Sequence, residues 1–284
     1  RYFLTVVQEQ NISRAAEKLH VSQPTISRQL HELEAELGVT LFDRGSRTIA
    51  LTQSGEYFTQ QASQIVELAD KTAANIQQTA ELTGSVSIGG GEVPSMATLA
   101  QAAKTLITKN PQITLHLESR NADDVTQRLA AGLLDFGVLV GNVTKTDYHS
   151  LTLPSTNRWG LLLPKSAPLA QQAAISPSDL LKLPLLISHQ RGVSDEIHDW
   201  LGQNLTDLNI IATYNLLYNA ALFVKAGVGY ALTIDGIFNT ASTDLAFIPL
   251  ANISPVAVNL VWRKEVPLST AAQAMLRAIQ QTLK

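Results

Sequence analysis

The stretch "HVSQPTISRQLHELE", His20–Glu34, decides the fold. From Ile26 it reads as a helix, yet Pro24 stands near its start among Ser22, Gln23 and Thr25. First-turn amides have no partner inside a helix, so a proline loses nothing there. Ser22 supplies the side-chain oxygen that an N-cap requires. With each residue turned about 100° from the last, Ile26, Leu30, Leu33 and Leu37 fall on one face, the expected core face. Pro24, Arg28 and His31 fall nearly opposite, with Gln23 and Ser27 on one flank and Thr25 on the other. Glu32, Glu34 and Glu36 come later, so the outward surface of the first turns is small, polar and free of acid. Such a surface can enter a major groove and present amide, hydroxyl and guanidinium groups to base edges and phosphates. Taken alone, the stretch is equally an amphipathic helix with a solvated polar face.

The neighbouring segments favour the first reading. "NISRAAEKLH", Asn11–His20, is a short helix with Ala15, Ala16 and Leu19 as its apolar stripe and Asn11 or Ser13 as cap. Only a short turn separates it from the helix above, the spacing of a helix-turn-helix. "YFLTVVQE" offers Phe3, Leu4, Val6 and Val7 on a third helix, and Gly38 ends the second. In "VTLFDRGSRTIALTQSG", Val39, Leu41 and Phe42 are expected to close the core. There "RGSR" is a turn and "TIALT" a strand, together a wing with Arg47 at its tip, placed for a minor groove. Residues 1–55 carry six positive and six negative charges, so placement of charge rather than its sum would drive any contact with DNA.

The run "ISRAAEKLHVSQPTISRQLHELEAELGVTLFDRGSRTIALTQSGE" resembles the winged helix-turn-helix of the LysR-type transcriptional regulators. The paired alanines, "SQP", "SRQL", "LE…LG", "LF.R" and "LT.SG" carry the likeness. The family's Gly-Ser before the second helix is here Gln10-Asn11, and Asn also caps helices. The resemblance implies that Gln23, Thr25, Ser27 and Arg28 face DNA in the major groove, that Pro24 lies near the backbone and that Arg47 enters the minor groove. His31 shares the outward face, and Arg44 either touches DNA or holds the wing.

In "SGEYFTQQASQIVELADKTAANIQQTAELTG", Phe58, Ala62, Ile65, Ala69, Ala73, Ile76 and Ala80 recur every three or four residues. That is a long helix with a narrow apolar seam, suited to pairing with another helix. The alternative is a helix lying on the surface of its own domain. The resemblance implies an antiparallel pair of these helices that builds the dimer. A dimer would present two reading heads to a pseudo-palindromic operator in double-stranded DNA.

From about Ser85 strands alternate with helices, which predicts a mostly parallel α/β sheet, and the pattern then repeats. Two α/β lobes joined by crossing strands would resemble a periplasmic binding protein. "GLLDFGVLVG", "APLA" and "VKAGVGYAL" also resemble the LysR-type effector domain, more loosely than the N-terminal run does. The expected organisation is a winged helix-turn-helix over 1–57, a linker and dimerisation helix over 58–84, and an effector-binding domain over 85–284. Lobe I would take about 85–160 and 263–284, and lobe II about 161–262.

Ligands in such sheets bind beyond the carboxyl ends of the strands. "GGGEVPSM" follows the first strand and starts a helix at Ser95, with Met96 next, and its amides could hold an anion. Ser119 and Asn121 follow the next strand and Gly141 a third. Ser188, His189, Asn215 and Thr233 stand at strand ends of the second lobe. Each of these polar residues reads equally well as a loop cap or turn former. The resemblance implies that an effector, an anion or a polar metabolite, sits among them.

Catalysis finds little support. The glycine-rich loop lacks the Gly-Lys-Ser/Thr ending of a P-loop and the G-x-G-x-x-G fingerprint. G-x-S-x-G and H-E-x-x-H do not occur, and the six histidines lack metal-ligand spacing. Asp123-Asp124 and Asp195-Glu196 stand at helix starts, where caps and the helix dipole explain them. No metal or cofactor is expected beyond the effector. The sequence has no cysteine, hence no disulfide and no thiolate chemistry. It shows neither a membrane-length apolar run nor a signal-peptide pattern, so a cytoplasmic protein is expected. It lacks an initiator Met, and a few further residues are expected upstream. The rival reading is a stand-alone solute-binding protein, against which the N-terminal head speaks. The expectation is an effector-controlled transcriptional regulator acting as a homodimer or homotetramer, with RNA polymerase as a further partner.

Overall fold

The computed structural model describes residues 1–43, 49–76, 82–141, 146–189, 197–202 and 208–284, in two compact units, Arg1–Ala74 and Asn75–Lys284. Arg44, Arg47, Ala80 and the pair Asp195-Glu196 lie outside the described residues.

The first unit runs α1 (Tyr2–Glu9), α2 (Ile12–Lys18), α3 (Gln23–Leu37), β1 (Phe42–Asp43), β2 (Ala50–Leu51) and α4 (Gln53–Ile76). The starts of α2 and α3 are built as the capping chemistry requires. The Asn11 side chain accepts from the Arg14 amide at 3.0 Å and the Ser22 hydroxyl from the Thr25 amide at 3.3 Å. Gly38 ends α3 in the left-handed region, φ 68°, which a residue with a Cβ adopts only under strain. Phe3, Val6, Ala15, Ala16, Ile26, Leu30, Leu41 and Phe42 form the buried core. The Phe3 ring lies 5.1 Å from that of Phe42 and 5.0 Å from that of Phe58.

Three positions depart from the expected core. Leu37 and Val39 are exposed, and Glu34 is buried, 8% exposed. Glu34 continues the i, i+4 row of Ile26 and Leu30 into the interior. Its Oε1 accepts from the Leu41 amide at 2.7 Å and the Phe42 amide at 3.2 Å, so the recognition helix holds the start of the wing. β1 and β2 pair antiparallel, Phe42 opposite Leu51, and form the base of that wing. A Cβ on Gly55 would come within 2.1 Å of the Leu41 carbonyl oxygen, so the "SG" of the wing's end is a close backbone approach.

The second unit holds two five-stranded sheets. Lobe I comprises β3 (Gly84–Gly90), α5 (Met96–Lys109), β4 (Ile113–Ser119), α6 (Ala122–Ala130), β5 (Phe136–Val140), β6 (Tyr148–Leu153), β12 (Val258–Arg263) and α9 (Thr270–Thr282). Lobe II comprises β7 (Trp159–Pro164), α7 (Pro177–Leu180), β8 (Leu185–Ser188), β9 (Ile210–Tyr214), α8 (Leu217–Lys225), β10 (Tyr230–Ile234) and β11 (Leu245–Pro249). The strand orders are β4-β3-β5-β12-β6 and β11-β7-β10-β8-β9. The sheets are mixed, not mostly parallel: β12 lies antiparallel to β5 and β6, and β7 antiparallel to β10 and β11. The chain enters lobe II on β7 and returns to lobe I on β12, each running against its new neighbours. The crossings fall at 154–158 and 250–257, which gives β12 to lobe I and the start of β7 to lobe II.

Each lobe has its own core. In lobe I, Val86, Ile88, Phe136, Leu260 and the α9 residues Ala272, Met275 and Ile279 pack together. In lobe II, Leu161, Leu163, Leu185, Leu232 and Ile197 form the main cluster. Within lobe I, the Asn259 amide of β12 donates to the Gly141 carbonyl at 3.1 Å and its oxygen accepts from the Thr152 hydroxyl of β6 at 3.1 Å. No helix among the described residues is long and apolar enough to cross a membrane.

Candidate functional site

Two surfaces collect the expected functional residues. The first is the outward face at the start of α3. There Gln23, Thr25, Ser27, Arg28 and His31 lie away from Ile26 and Leu30, with Pro24 in the first turn. The Gln23 amide donates to the Ser27 hydroxyl at 3.0 Å, so two of these groups are ordered before any partner arrives. Arg28 is exposed and faces Glu32 one turn on, Nε to Oε1 3.4 Å. The outward face thus carries an acid beside its arginine, which counting by turns had set apart from it.

The apolar seam of α4 divides in two. Phe58 packs into the N-terminal core, so that core includes the first turns of α4. Further along, Ile65 is 66% exposed, Ile76 69%, and Ala69 is exposed, while Ala62 is half-buried.

The second surface is a cleft between the lobes of the second unit. A cavity opens where the carboxyl ends of β3 and β5 face those of β8, β9 and β10. Its wall is apolar, with Val93, Val138, Trp159, Leu217, Ile234 and Ile237. Its polar groups are Glu92 in the loop after β3, Ser188 at the end of β8, Tyr214 and Asn215 at the end of β9, and Thr233 in β10. Ser188 and Thr233 are buried, 6% and 3% exposed. The Tyr214 hydroxyl donates to the Leu232 carbonyl at 2.6 Å. Burial pushes its pKa up to about 12, against a hydrogen bond with Thr233 that acts the other way. The Asn215 side-chain oxygen accepts from the adjacent Leu216 amide at 2.9 Å.

A neighbouring, roomier cavity shares Gly91, Glu92 and Val93 with the first and adds Met96, Glu118 and Ser119. Glu118 is held by Arg120 and by Arg128, the latter at 3.0 Å. At the rim, Gly236 has φ 80°, and a Cβ there would come within 2.7 Å of the Pro94 ring. The loop after β3 and the loop after β10 therefore touch across the mouth.

Five of the nine expected effector contacts line these cavities: Ser188, Asn215 and Thr233 in the first, Met96 and Ser119 in the second. Four do not. The Ser95 hydroxyl donates to the Pro154 carbonyl at 2.8 Å, which ties the start of α5 to the first crossing. Asn121 caps α6 by accepting from the Asp124 amide at 2.9 Å. Gly141 has φ 85° and donates to the Ala257 carbonyl at 2.8 Å. The His189 ring nitrogen lies 3.1 Å from the Tyr214 carbonyl oxygen. The amides expected to hold an anion at α5 are engaged: Met96 donates to the Val93 carbonyl at 3.0 Å, Ala97 to Pro94 at 3.0 Å and Thr98 to Ser95 at 3.1 Å. Sequence reasoning missed Glu92, Trp159 and Tyr214. Small polar residues at strand ends were its guide, which passes over an acid in the loop after β3 and aromatics in apolar strands.

Comparison with known proteins follows the same division. The family model of the bacterial regulatory helix-turn-helix protein, lysR family, matches residues 1–56, and that of the LysR substrate binding domain matches residues 79–284. The Hca operon transcriptional activator HcaR of Escherichia coli K12 is 27% identical over 100% of this chain and 96% of its own. The crystal structure of CbnR, a LysR family transcriptional regulator, superposes with a TM-score of 0.75 at 22% identity, covering 100% of this chain and 97% of that one. CbnR in complex with its target DNA gives the same TM-score, 0.75, at 22% identity over 99% and 97% of the two chains.

Proposed function

We propose a function from one premise: the chain belongs to the LysR family of bacterial helix-turn-helix transcriptional regulators, and is a regulator rather than an enzyme. It reads a pseudo-palindromic operator in double-stranded DNA as a homodimer, or as a homotetramer built from such dimers. The start of α3 enters the major groove, with Gln23, Thr25, Ser27, Arg28 and His31 toward bases and phosphates. Arg47 is proposed to enter the minor groove, and Arg44 to touch DNA or hold the wing. Ile65, Ala69 and Ile76 of α4 pair with the same helix of a second copy, and their exposure supports this. A small effector binds between the lobes and favours one spacing of the paired heads over another. The changed grip on DNA is then available to RNA polymerase.

The observation that carries the effector site is the meeting of strand ends from both lobes around one apolar cavity with buried hydroxyls at Ser188 and Thr233. The test begins with an operator selected from a random DNA pool by the full chain. Small metabolites are then screened by thermal shift, where a ligand at a hundredfold its Kd contributes about 2.7 kcal/mol. A compound that raises Tm is expected to change operator affinity. Asn215→Trp, which fills the mouth of the cavity from an exposed position, is expected to abolish both effects. Retention of both effects in Asn215→Trp would move the effector site out of the cleft.

A further inference from the structure

The recognition helix carries its own counter-ion. Glu32 is exposed on the outward face of α3, and side chains of the same helix engage both of its oxygens. Oε1 faces Nε of Arg28 at 3.4 Å, and Oε2 accepts from the Gln29 side-chain amide at 2.7 Å. The contact with Arg28 is made by Nε. Among the described residues its two terminal nitrogens form no hydrogen bond, which leaves them open to a partner outside the chain. Elsewhere in the first unit Lys18 faces Glu9 at 2.7 Å, and Arg1 faces Asp70. With as many acids as bases over residues 1–55, such a head has little net attraction for phosphate, the attraction that supplies non-specific DNA binding.

In water an exposed pair one turn apart is weak. Docking changes its setting, because DNA displaces water and the charges then act through a lower dielectric. On an arbitrary duplex, Arg28 gains a phosphate only by leaving Glu32, and an uncompensated carboxylate then faces DNA. On a site that offers base-edge acceptors to the terminal nitrogens, Arg28 keeps Glu32 at Nε and adds the base. We infer that Glu32 is a positioning residue that sets sequence specificity: it withholds Arg28 from phosphates and reserves its terminal nitrogens for a base edge. This rests on α3 entering the major groove.

The test uses the full chain, an operator selected from a random pool and a scrambled duplex of equal length. Fluorescence anisotropy across a salt series gives both affinities for the wild type, Glu32→Gln, Glu36→Gln and Arg28→Ala. Circular dichroism verifies the fold of each variant. Glu36→Gln removes an equal charge from an exposed position one turn further along α3. Glu32→Gln is expected to bind the scrambled duplex about tenfold tighter, with a salt slope steeper by about one per head, as Arg28 takes a phosphate. Its operator affinity is expected to rise by less, so the ratio of the two falls. Selection from the random pool is then repeated with each variant. Arg28→Ala identifies the base position that Arg28 reads, and Glu32→Gln is expected to weaken the preference at that same position, with Glu36→Gln leaving it as in the wild type. An unchanged ratio and salt slope in Glu32→Gln, an unchanged preference at that position, or an equal effect of Glu36→Gln would each overturn the inference while leaving α3 as the reading helix. If Arg28→Ala alters no base preference, the inference falls together with the placement of Arg28 in the major groove.

Discussion

Replacing Glu34 tests the link between the recognition helix and the wing. Its Oε1 accepts from the Leu41 and Phe42 amides, at 2.7 and 3.2 Å, in a buried setting. A hydrogen bond to a charged group contributes about 1.5–3 kcal/mol, and a neutral one about 0.5–1.5 kcal/mol. Both amides meet one oxygen, so their contributions do not simply add. Glu34→Ala leaves two buried donors without an acceptor and is expected to cost about 2–4 kcal/mol. Glu34→Gln keeps a neutral acceptor of the same shape and is expected to cost about 1–2 kcal/mol. The three tryptophans, Trp159, Trp200 and Trp262, all lie in the second unit. Their fluorescence therefore reports that unit, while hydrogen exchange at the Leu41 and Phe42 amides reports the wing. In urea, Glu34→Ala should speed exchange at those amides and leave the tryptophan transition in place. Operator affinity should fall in the same order, because a wing without its anchor must be ordered on DNA. Exchange unchanged in Glu34→Ala, or a glutamine variant as damaged as the alanine one, would refute the reasoning.

Other substitutions probe the remaining assignments. Arg28→Ala is expected to cost about 1–3 kcal/mol of operator binding without unfolding the chain, measured by fluorescence anisotropy. Glu32→Ala should instead tighten binding by up to about 1 kcal/mol, because it releases Arg28 from an exposed ion pair and removes an acid from the DNA-facing side. Ile65→Asp with Ile76→Asp would place two charges in the proposed helix pair, and light scattering should show loss of the dimer, together with loss of operator binding. Tyr214 carries a pH signature: its pKa is raised from 10.0 to about 12, so its contribution to stability is complete below pH 10 and is lost as pH rises through 12. Denaturant melts across that range should show a fall that Tyr214→Phe flattens.

The sequence made the reading head plain because its signals are local. Ser22, Pro24, Gly38 and the row from Ile26 to Leu30 each act within a few residues, and the structure realises each of them. Glu34 escaped because its partners, Leu41 and Phe42, lie beyond the helix end and nothing in helical periodicity marks an acid as buried. In the second unit the alternation of strand and helix was visible, but strand direction was not. The antiparallel course of β7 and β12 depends on where the chain crosses between lobes, a non-local choice. At the cleft, small polar residues at strand ends led to three residues that line the cavity, Ser188, Asn215 and Thr233. The same signal marks Ser95 and Asn121, whose side chains bond backbone groups outside the cavity lining. Trp159 and Tyr214 gave no signal, since an aromatic in an apolar strand looks like any other core residue until the two lobes face each other.

The place of β12 in its sheet also orders events at the ribosome. β6 has a single neighbour in lobe I, and that neighbour is β12, whose residues are translated about a hundred positions later. Until Val258–Arg263 emerge, β6 has no strand to pair with, and β5 has one open edge. The core of lobe I likewise waits for Ala272, Met275 and Ile279. The strands of lobe II, from Trp159 to Pro249, all pair among themselves and emerge earlier. The nascent chain thus completes its reading head first, its second lobe next and its first lobe last. A newly made molecule holds its DNA-reading surface before it has a finished cleft with which to sense anything.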